Sequence, residues 1–253
     1  MTCLKASRWV GVLVVSVVAP GCGSDVDEAP VCPTEVAVAV ERFQCIADAV
    51  AELLDGMVRH AAEACVAIAS DLGESPPAIT EPLTEEQVTA VCSLARAAVD
   101  AVVADVGCAS LTITGGDCTV DPNGQAQCEA GCEADDAACD ACCETLAPYD
   151  QMCMPITVVV DTADPTLQAT LEANLPALVP LSMYDERVAD LVARYTAESV
   201  EVVGLVERNE ACRESYSATV VAIHADVAAA SNRLSEAMEV AKAVSGAADC
   251  EAP

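Results

Sequence analysis

The stretch TEVAVAVERFQCIADAVAELLDGMVRHAAEACVAIASDLG, residues 34–73, decides the fold. Its apolar positions step 4,3,4,3 through Val36, Val40, Phe43, Ala47, Val50, Leu54, Met57, Ala61, Ala64 and Ile68. A stripe that holds this period for more than four heptads is the signature of a long amphipathic helix that buries one face against others. At 1.5 Å per residue it predicts a rod about 57 Å long. Thr34, after Pro33, is placed to cap the start, and Gly73 closes the segment.

The same logic carries outward. ESPPAITEP, residues 74–82, breaks the pattern with its prolines. Thr84 then caps a second helix with Val88, Cys92, Ala95, Val99, Val102 and Val106 on one face, stopped by Gly107. Glu85 and Glu86 suit its first turn, where acidic side chains meet the positive end of the helix dipole. Further on, Asp164 caps a helix that begins at Pro165 and carries Leu167, Leu171 and Leu175 on one face. Pro176 and Pro180 are expected to break or kink it, since proline lacks the N–H a helix needs. Val188, Leu191, Tyr195, Val202 and Leu205 resume the period. Val220, Ile223, Val227, Ala230, Leu234, Ala237, Ala241 and Val244 repeat it up to Gly246. Between these two runs, at Arg208-Asn209-Glu210, the sequence leaves two readings open: a turn with Asn209 as cap, or one continuous helix.

Residues 108–161 change character. LTIT, 111–114, runs into Gly115-Gly116, and the β-branched run from Ile156 to Asp161 is a second strand, predicted to pair with 110–114. Asp121-Pro-Asn-Gly124 reads as a plain turn, because the spacing of a calcium loop is not met. Residues 128–146 are expected to form short helical turns. The predicted fold class is mainly α: an elongated antiparallel helical bundle with a small two-stranded sheet in a disulfide-rich insert. Its parts are a helical hairpin over 34–107, the Cys-rich segment over 108–161, and C-terminal helices over 164–248 that pack on 34–107.

The first thirty-odd residues read as an address. Lys5 and Arg8 precede an apolar run, Trp9 to Ala19, which is about half the length needed to cross a bilayer. Pro20, Gly21 and Cys22 follow, and the order of charge, apolar core and small residues is that of a secretory signal over 1–21. Ala19-Pro20-Gly21-Cys22 resembles the lipobox of bacterial lipoproteins, with Pro20 departing from the commonest pattern. The resemblance implies that Cys22 is diacylated and becomes the first mature residue. Gly23 in place of an aspartate implies the outer membrane or cell surface, with a periplasmic or secreted soluble protein as the alternative. Residues 22–33 then form a lipidated tether.

Cysteine arithmetic agrees. Sixteen cysteines are present. Cys3 leaves with the signal and Cys22 takes lipid. An even fourteen remain: Cys32, Cys45, Cys65, Cys92, Cys108, Cys118, Cys128, Cys132, Cys139, Cys142, Cys143, Cys153, Cys212 and Cys250. An even count and an export signal point to disulfides throughout. Cys128-x3-Cys132 and Cys139-x2-Cys142-Cys143 resemble zinc spacing, but no histidine lies near and thiolate sites belong mostly to reducing compartments, so no metal is assigned. Cys142 and Cys143, being adjacent, are expected to have different partners. Cys65 is expected to pair with Cys92, and Cys250 with an N-terminal cysteine such as Cys32 or Cys45.

Composition limits function. From Cys22 onward nine basic residues face forty-one acidic ones, a net charge of −32. Phosphate binding needs clustered Lys and Arg, so nucleic acid is excluded as a partner. Half the residues, 53%, are hydrophobic, which excludes the disorder that strong acidity would otherwise suggest. His60 and His224 lie in helical segments with no motif neighbour and read as helix-surface residues. No nucleophile elbow, zincin, phosphate-loop or dinucleotide fingerprint occurs. Glu129, Glu133, Asp135, Asp136 and Asp140 read as solvated charge in a disulfide loop. Met152 and Met154 flank Cys153, but read as ordinary thioethers.

Cys128-x3-Cys132, the Cys153-x-Pro155 step into the strand at Ile156, and TLEANLP at 170–176 before an Ala/Val-rich helix resemble a group of uncharacterised alanine- and cysteine-rich bacterial lipoproteins. The resemblance covers about half the mature chain and implies an envelope location with no activity to transfer. The expectation is a non-enzymatic, lipid-anchored envelope protein with a structural or interaction role, needing no cofactor and reaching the membrane through its N-terminal lipid, with an envelope protein as a possible partner. The alternative is an envelope module that binds cations or a hydrophobic ligand. An enzyme comes third.

Overall fold

The computed structural model describes residues 31–107, 109–133, 136–183 and 185–248. The signal and lipid assignments at 1–21 and Cys22 lie outside these residues, as do Cys108, Cys250 and Asp135.

The deciding stretch forms α1, Thr34–Asp71, 38 residues long. Every position of its stripe is buried except Met57, which is partly so. Ile46, Val58, Ala62 and Ala69 are buried as well. The stripe is wider than a two-helix seam because α1 is central and is packed on several sides. The expected cap is corrected by one residue: Thr34 is the first helical residue and Pro33 the cap, without a side-chain bond. The Pro33 carbonyl accepts the first regular helix bond from Ala37 at 3.4 Å and also takes the Val36 amide at 3.0 Å, so the backbone itself satisfies one of the orphan amides of the first turn.

α2, Glu85–Val106, begins as the sequence predicts, with a capping box in which Thr84 and Gln87 exchange side-chain and backbone bonds. By length and composition α2 could cross a membrane, but Val88, Val91, Cys92, Ala95 and Val99 are buried in the bundle core. Its last two turns hold no fully buried residue.

The insert follows with β1, Ser110–Thr114, β2, Cys118–Val120, and two short helices, α3, Gly124–Glu129, and α4, Ala137–Leu146. Then come β3, Gln151–Cys153, and β4, Thr157–Asp161. β1 pairs antiparallel with β4, Leu111 opposite Val160 and Ile113 opposite Val158, which is the pairing expected. The second two-stranded sheet, β2 with β3, escapes the sequence reading because three-residue strands carry no measurable alternation. Two glycines are required here. A Cβ on Gly115, at φ +86°, would lie 2.1 Å from the Pro155 carbonyl oxygen, and one on Gly124 would overlap the Asp150 carboxylate. Asp121 makes the expected turn, its carboxylate accepting from the Asn123 amide at 2.8 Å.

α5, Pro165–Met183, is capped by Asp164, whose carboxylate accepts from the Leu167 amide at 2.7 Å. It runs through Pro176 and Pro180, so neither proline ends it. Leu167, Leu171, Leu175, Leu178 and Leu181 are all buried, and this packing outweighs the bonds that two prolines forgo. α6, Asp185–Arg208, and α7, Glu210–Ala248, are separated at Asn209, whose side chain accepts from the Cys212 amide. Of the two readings open there, the turn with an Asn cap is the one found.

Contacts fix the directions. Cys32 meets Cys212, Phe43 meets His224, and Asp55 meets Arg233. The numbers advance together, so α1 and α7 run the same way. α6 doubles back on α7, with Ser199 against His224, and is antiparallel to both. Thr89 with Glu236 and Ala109 with Ala248 advance together as well. α2 therefore follows α7 and α1. The segment between α1 and α2 returns along α1, where Arg59 holds Glu81 at 2.8 Å. The two helices of 34–107 thus lie side by side with a returning link, where the proline-rich loop had suggested a hairpin. One hydrophobic core runs through all the long helices and takes in Val158 and Val160 of β4.

Candidate functional site: a disulfide frame around a buried ionic and Ser–His cluster

Twelve cysteines form six disulfides among the described residues. Cys32 is bonded to Cys212 and Cys45 to Cys142, which ties the residues just before α1 to α7 and the N-terminal half of α1 to α4. Cys65 is bonded to Cys92, as expected, between α1 and α2. Within the insert, Cys118 joins Cys153 across the β2–β3 pair, Cys128 joins Cys143, and Cys132 joins Cys139. The adjacent Cys142 and Cys143 do have different partners. The expectation that Cys250 reaches Cys32 or Cys45 is corrected: both are taken, because α7 begins beside Cys32 and α4 lies against Cys45.

The sulfurs of Cys132, Cys139 and Cys143 lie within 4.8 Å of one another. They gather because two disulfides stack side by side, with Cys132 and Cys143 Sγ 3.7 Å apart. A disulfide sulfur is not the thiolate that zinc needs. Asp136 acts as a helix cap, its carboxylate accepting from the Ala138 and Cys139 amides. Glu129 accepts from Gln125. Met152 and Met154 are exposed beside the bonded Cys153.

Sequence reasoning missed a polar cluster where α1, α6 and α7 meet. Glu198, 5% exposed, pairs with Arg42 of α1 at 2.6 Å and with Arg194, one turn back on α6, at 2.6 Å. Next to it Ser199 is bonded to Nε2 of His224 at 2.5 Å. The other ring nitrogen of His224, Nδ1, donates to the Val220 carbonyl at 2.7 Å, since a carbonyl oxygen only accepts. Phe43 stacks on Tyr195 at 5.3 Å and lies 5.6 Å from the His224 ring. Burial pushes the Tyr195 phenol upward in pKa, and its hydroxyl has no hydrogen-bond partner among the described residues, like Nε of Arg42. A signal was present: Leu191, Tyr195, Glu198 and Val202 step 4,3,4, so Glu198 occupies a core position of the α6 stripe. His60 is exposed on α1, as expected. His224, by contrast, is partly buried and bonded at both nitrogens.

Two carboxylates outside this cluster are shifted. Asp48 is held above its ordinary pKa by desolvation, then by Asp226 across on α7 and Glu52 on α1. Glu172 is held below its ordinary value by the Val160 amide it accepts from, at 3.1 Å, and by the Gln168 side chain.

A serine bonded to a histidine is the opening element of a nucleophile–base pair. Here, however, Ser199 is 8% exposed in a helix–helix contact, and a main-chain carbonyl of the same helix orients the ring in place of a carboxylate. The open depression of about 460 Å³ lined by Asp71, Pro165, Thr166, Ala169 and Thr170 contains none of these groups. The cluster joins helices: it fixes the rotation of α6 against α1 and α7 by directional bonds that an Ala/Val core does not supply.

No family model, curated protein or solved structure matches the chain. The class that fold and site define is a disulfide-braced, acidic helical bundle, chemically suited to an oxidising compartment.

Proposed function

We propose that the chain is a non-enzymatic, lipid-anchored protein of the cell envelope, with a structural or interaction role. The observation that carries the reading is the distribution of the six disulfides. They tie α1 and the residues just before it to α2, α4 and α7 and close the insert on itself, and thiols in a cytosolic protein are kept reduced. The sequence adds an export signal and the lipobox-like Ala19-Pro20-Gly21-Cys22, together with the resemblance to alanine- and cysteine-rich lipoproteins. Cys22 is then acylated, the residues to 33 are the tether, and the rigid acidic bundle stands off the membrane. Anionic lipid heads repel such a surface, so the acyl chains make the attachment; each buried methylene contributes about 0.8 kcal/mol.

Labelling cells with a palmitate analogue tests the anchor. The wild-type chain should take label and sediment with membranes, and Cys22→Ser should lose both. Unchanged processing and membrane retention of Cys22→Ser would refute it.

A further inference from the structure

Four cysteines of the insert stand in two pairs, each spaced by one helical turn. Cys128 is on α3, and Cys132 lies four residues on, its Sγ 3.8 Å from the Cys128 carbonyl oxygen. Cys139 and Cys143 are likewise four apart on α4, so they share a face. Two rungs join these segments, Cys128–Cys143 and Cys132–Cys139. A diagonal runs between the rungs: Sγ of Cys132 is 3.7 Å from Sγ of Cys143, to which it is not bonded. Access to the cluster is unequal. Cys128 is exposed, Cys132 and Cys139 are partly so, and Cys143 is 1% exposed.

Thiol–disulfide exchange needs a thiolate set against one sulfur of a disulfide, with the other sulfur free to leave. The diagonal supplies that contact as soon as either rung is opened. We propose that the four cysteines form a thiol–disulfide exchange site that takes an external dithiol and moves the remaining bond onto the diagonal, Cys132–Cys143. The dithiol opens Cys132–Cys139: it gives up two electrons and two protons and becomes a disulfide, while Cys132 and Cys139 become thiols. The Cys132 thiolate then attacks Sγ of Cys143. The Cys132–Cys143 bond forms, the Cys128–Cys143 bond breaks, and Cys128 leaves with the electron pair and takes up the proton that Cys132 lost. Entry at exposed Cys128 ends in the same place. The released Cys143 attacks Cys132, Cys139 leaves, and the second thiol of the dithiol frees Cys128. By either route the reducing equivalents finish on Cys128 and Cys139, the solvent-accessible ends of the two rungs. The proposal goes beyond the envelope reading and does not depend on the anchor.

Purified, oxidised full chain treated with limiting dithiothreitol, then alkylated and digested without reduction, tests this. A protease cutting after Glu129, Glu133, Asp136 and Asp140 puts Cys128, Cys132 and Cys139 on separate peptides and leaves Cys143 with Cys142. The expected result is alkyl groups on Cys128 and Cys139, with the Cys132 peptide cross-linked to the one holding Cys143. Label on Cys132 and Cys139 with Cys128 still bonded to Cys143, or on Cys128 and Cys143 with the other rung intact, would overturn the proposal. So would a cluster left unlabelled by dithiol that opens the other disulfides. Cys139→Ser needs no reductant, because Cys132 then has no mate. On slow alkylation its label should accumulate on Cys128, and label confined to Cys132 would contradict the exchange.

Discussion

Glu198 is the residue on which the packing of α6 turns. It is 5% exposed and faces two guanidinium groups at 2.6 Å, of which Arg42 is 26% exposed. Removing the carboxylate leaves Arg42 half-enclosed, with Nε already lacking a partner. Breaking a fully buried pair costs about 3–5 kcal/mol. The exposure of the arginines lowers the expected loss for Glu198→Ala to about 2 kcal/mol, read as a lower urea midpoint. An unchanged midpoint would show that the contact contributes nothing. Asp48 has the opposite sign. Its folded-state pKa lies above the ordinary 3.8, because burial, Asp226 and Glu52 all oppose its charge. The fold is therefore penalised as pH rises from 3.8 through the raised value, and the penalty persists at neutral pH. Asp48→Asn should be the more stable protein at neutral pH, by a small margin because solvent screens this exposed position. Its advantage should vanish below pH 3.8, where wild type is protonated in both states. Equal urea midpoints at neutral pH would contradict this.

At the scale of elements, legibility follows from length and period. α1 and α7, 38 and 39 residues, declare themselves because a heptad sustained over many turns has no other use. The Thr84 box and the Asp164 cap are readable because each is a short-range bond between neighbours in sequence. What was overturned, missed or left open depends on tertiary packing. Pro176 and Pro180 do not end α5, since its buried leucines hold it, and that burial is invisible until α1 is seen beside it. β2 and β3 are too short for a pattern. Asn209 offered a cap without a breaker, and only the contact of Ser199 with His224 makes the reversal necessary. The Glu198 cluster was legible in one respect, a carboxylate at a core position of the stripe. Its partner Arg42 was not, being far away in sequence.

At the scale of the whole molecule, the chain is acidic and its described core is built largely of small side chains. Alanine and valine bury little area each, so the core gives less stabilisation per residue than a leucine-rich one, and disulfides supply what is missing. They do so unequally. Cys32 and Cys212 are 180 residues apart; even with the loop shortened through Cys45–Cys142, chain entropy assigns this bond about 4–5 kcal/mol. Cys132 and Cys139 are 7 apart, and the same account assigns about 2–3 kcal/mol. Replacing Cys32 and Cys212 together by alanine should therefore lower the denaturation midpoint more than replacing Cys132 and Cys139. The reverse order would show that the bundle owes its stability to the insert.

The most direct test of the central claim is the intact mass of the native protein, isolated from cells under acid trapping, before and after reduction and alkylation. An exported, cross-linked, acylated chain takes up no alkyl groups before reduction and fourteen after it, and its mass exceeds that of the polypeptide from Cys22 onward by the acyl groups. A full-length, unacylated chain with its thiols already reactive before reduction would contradict the account.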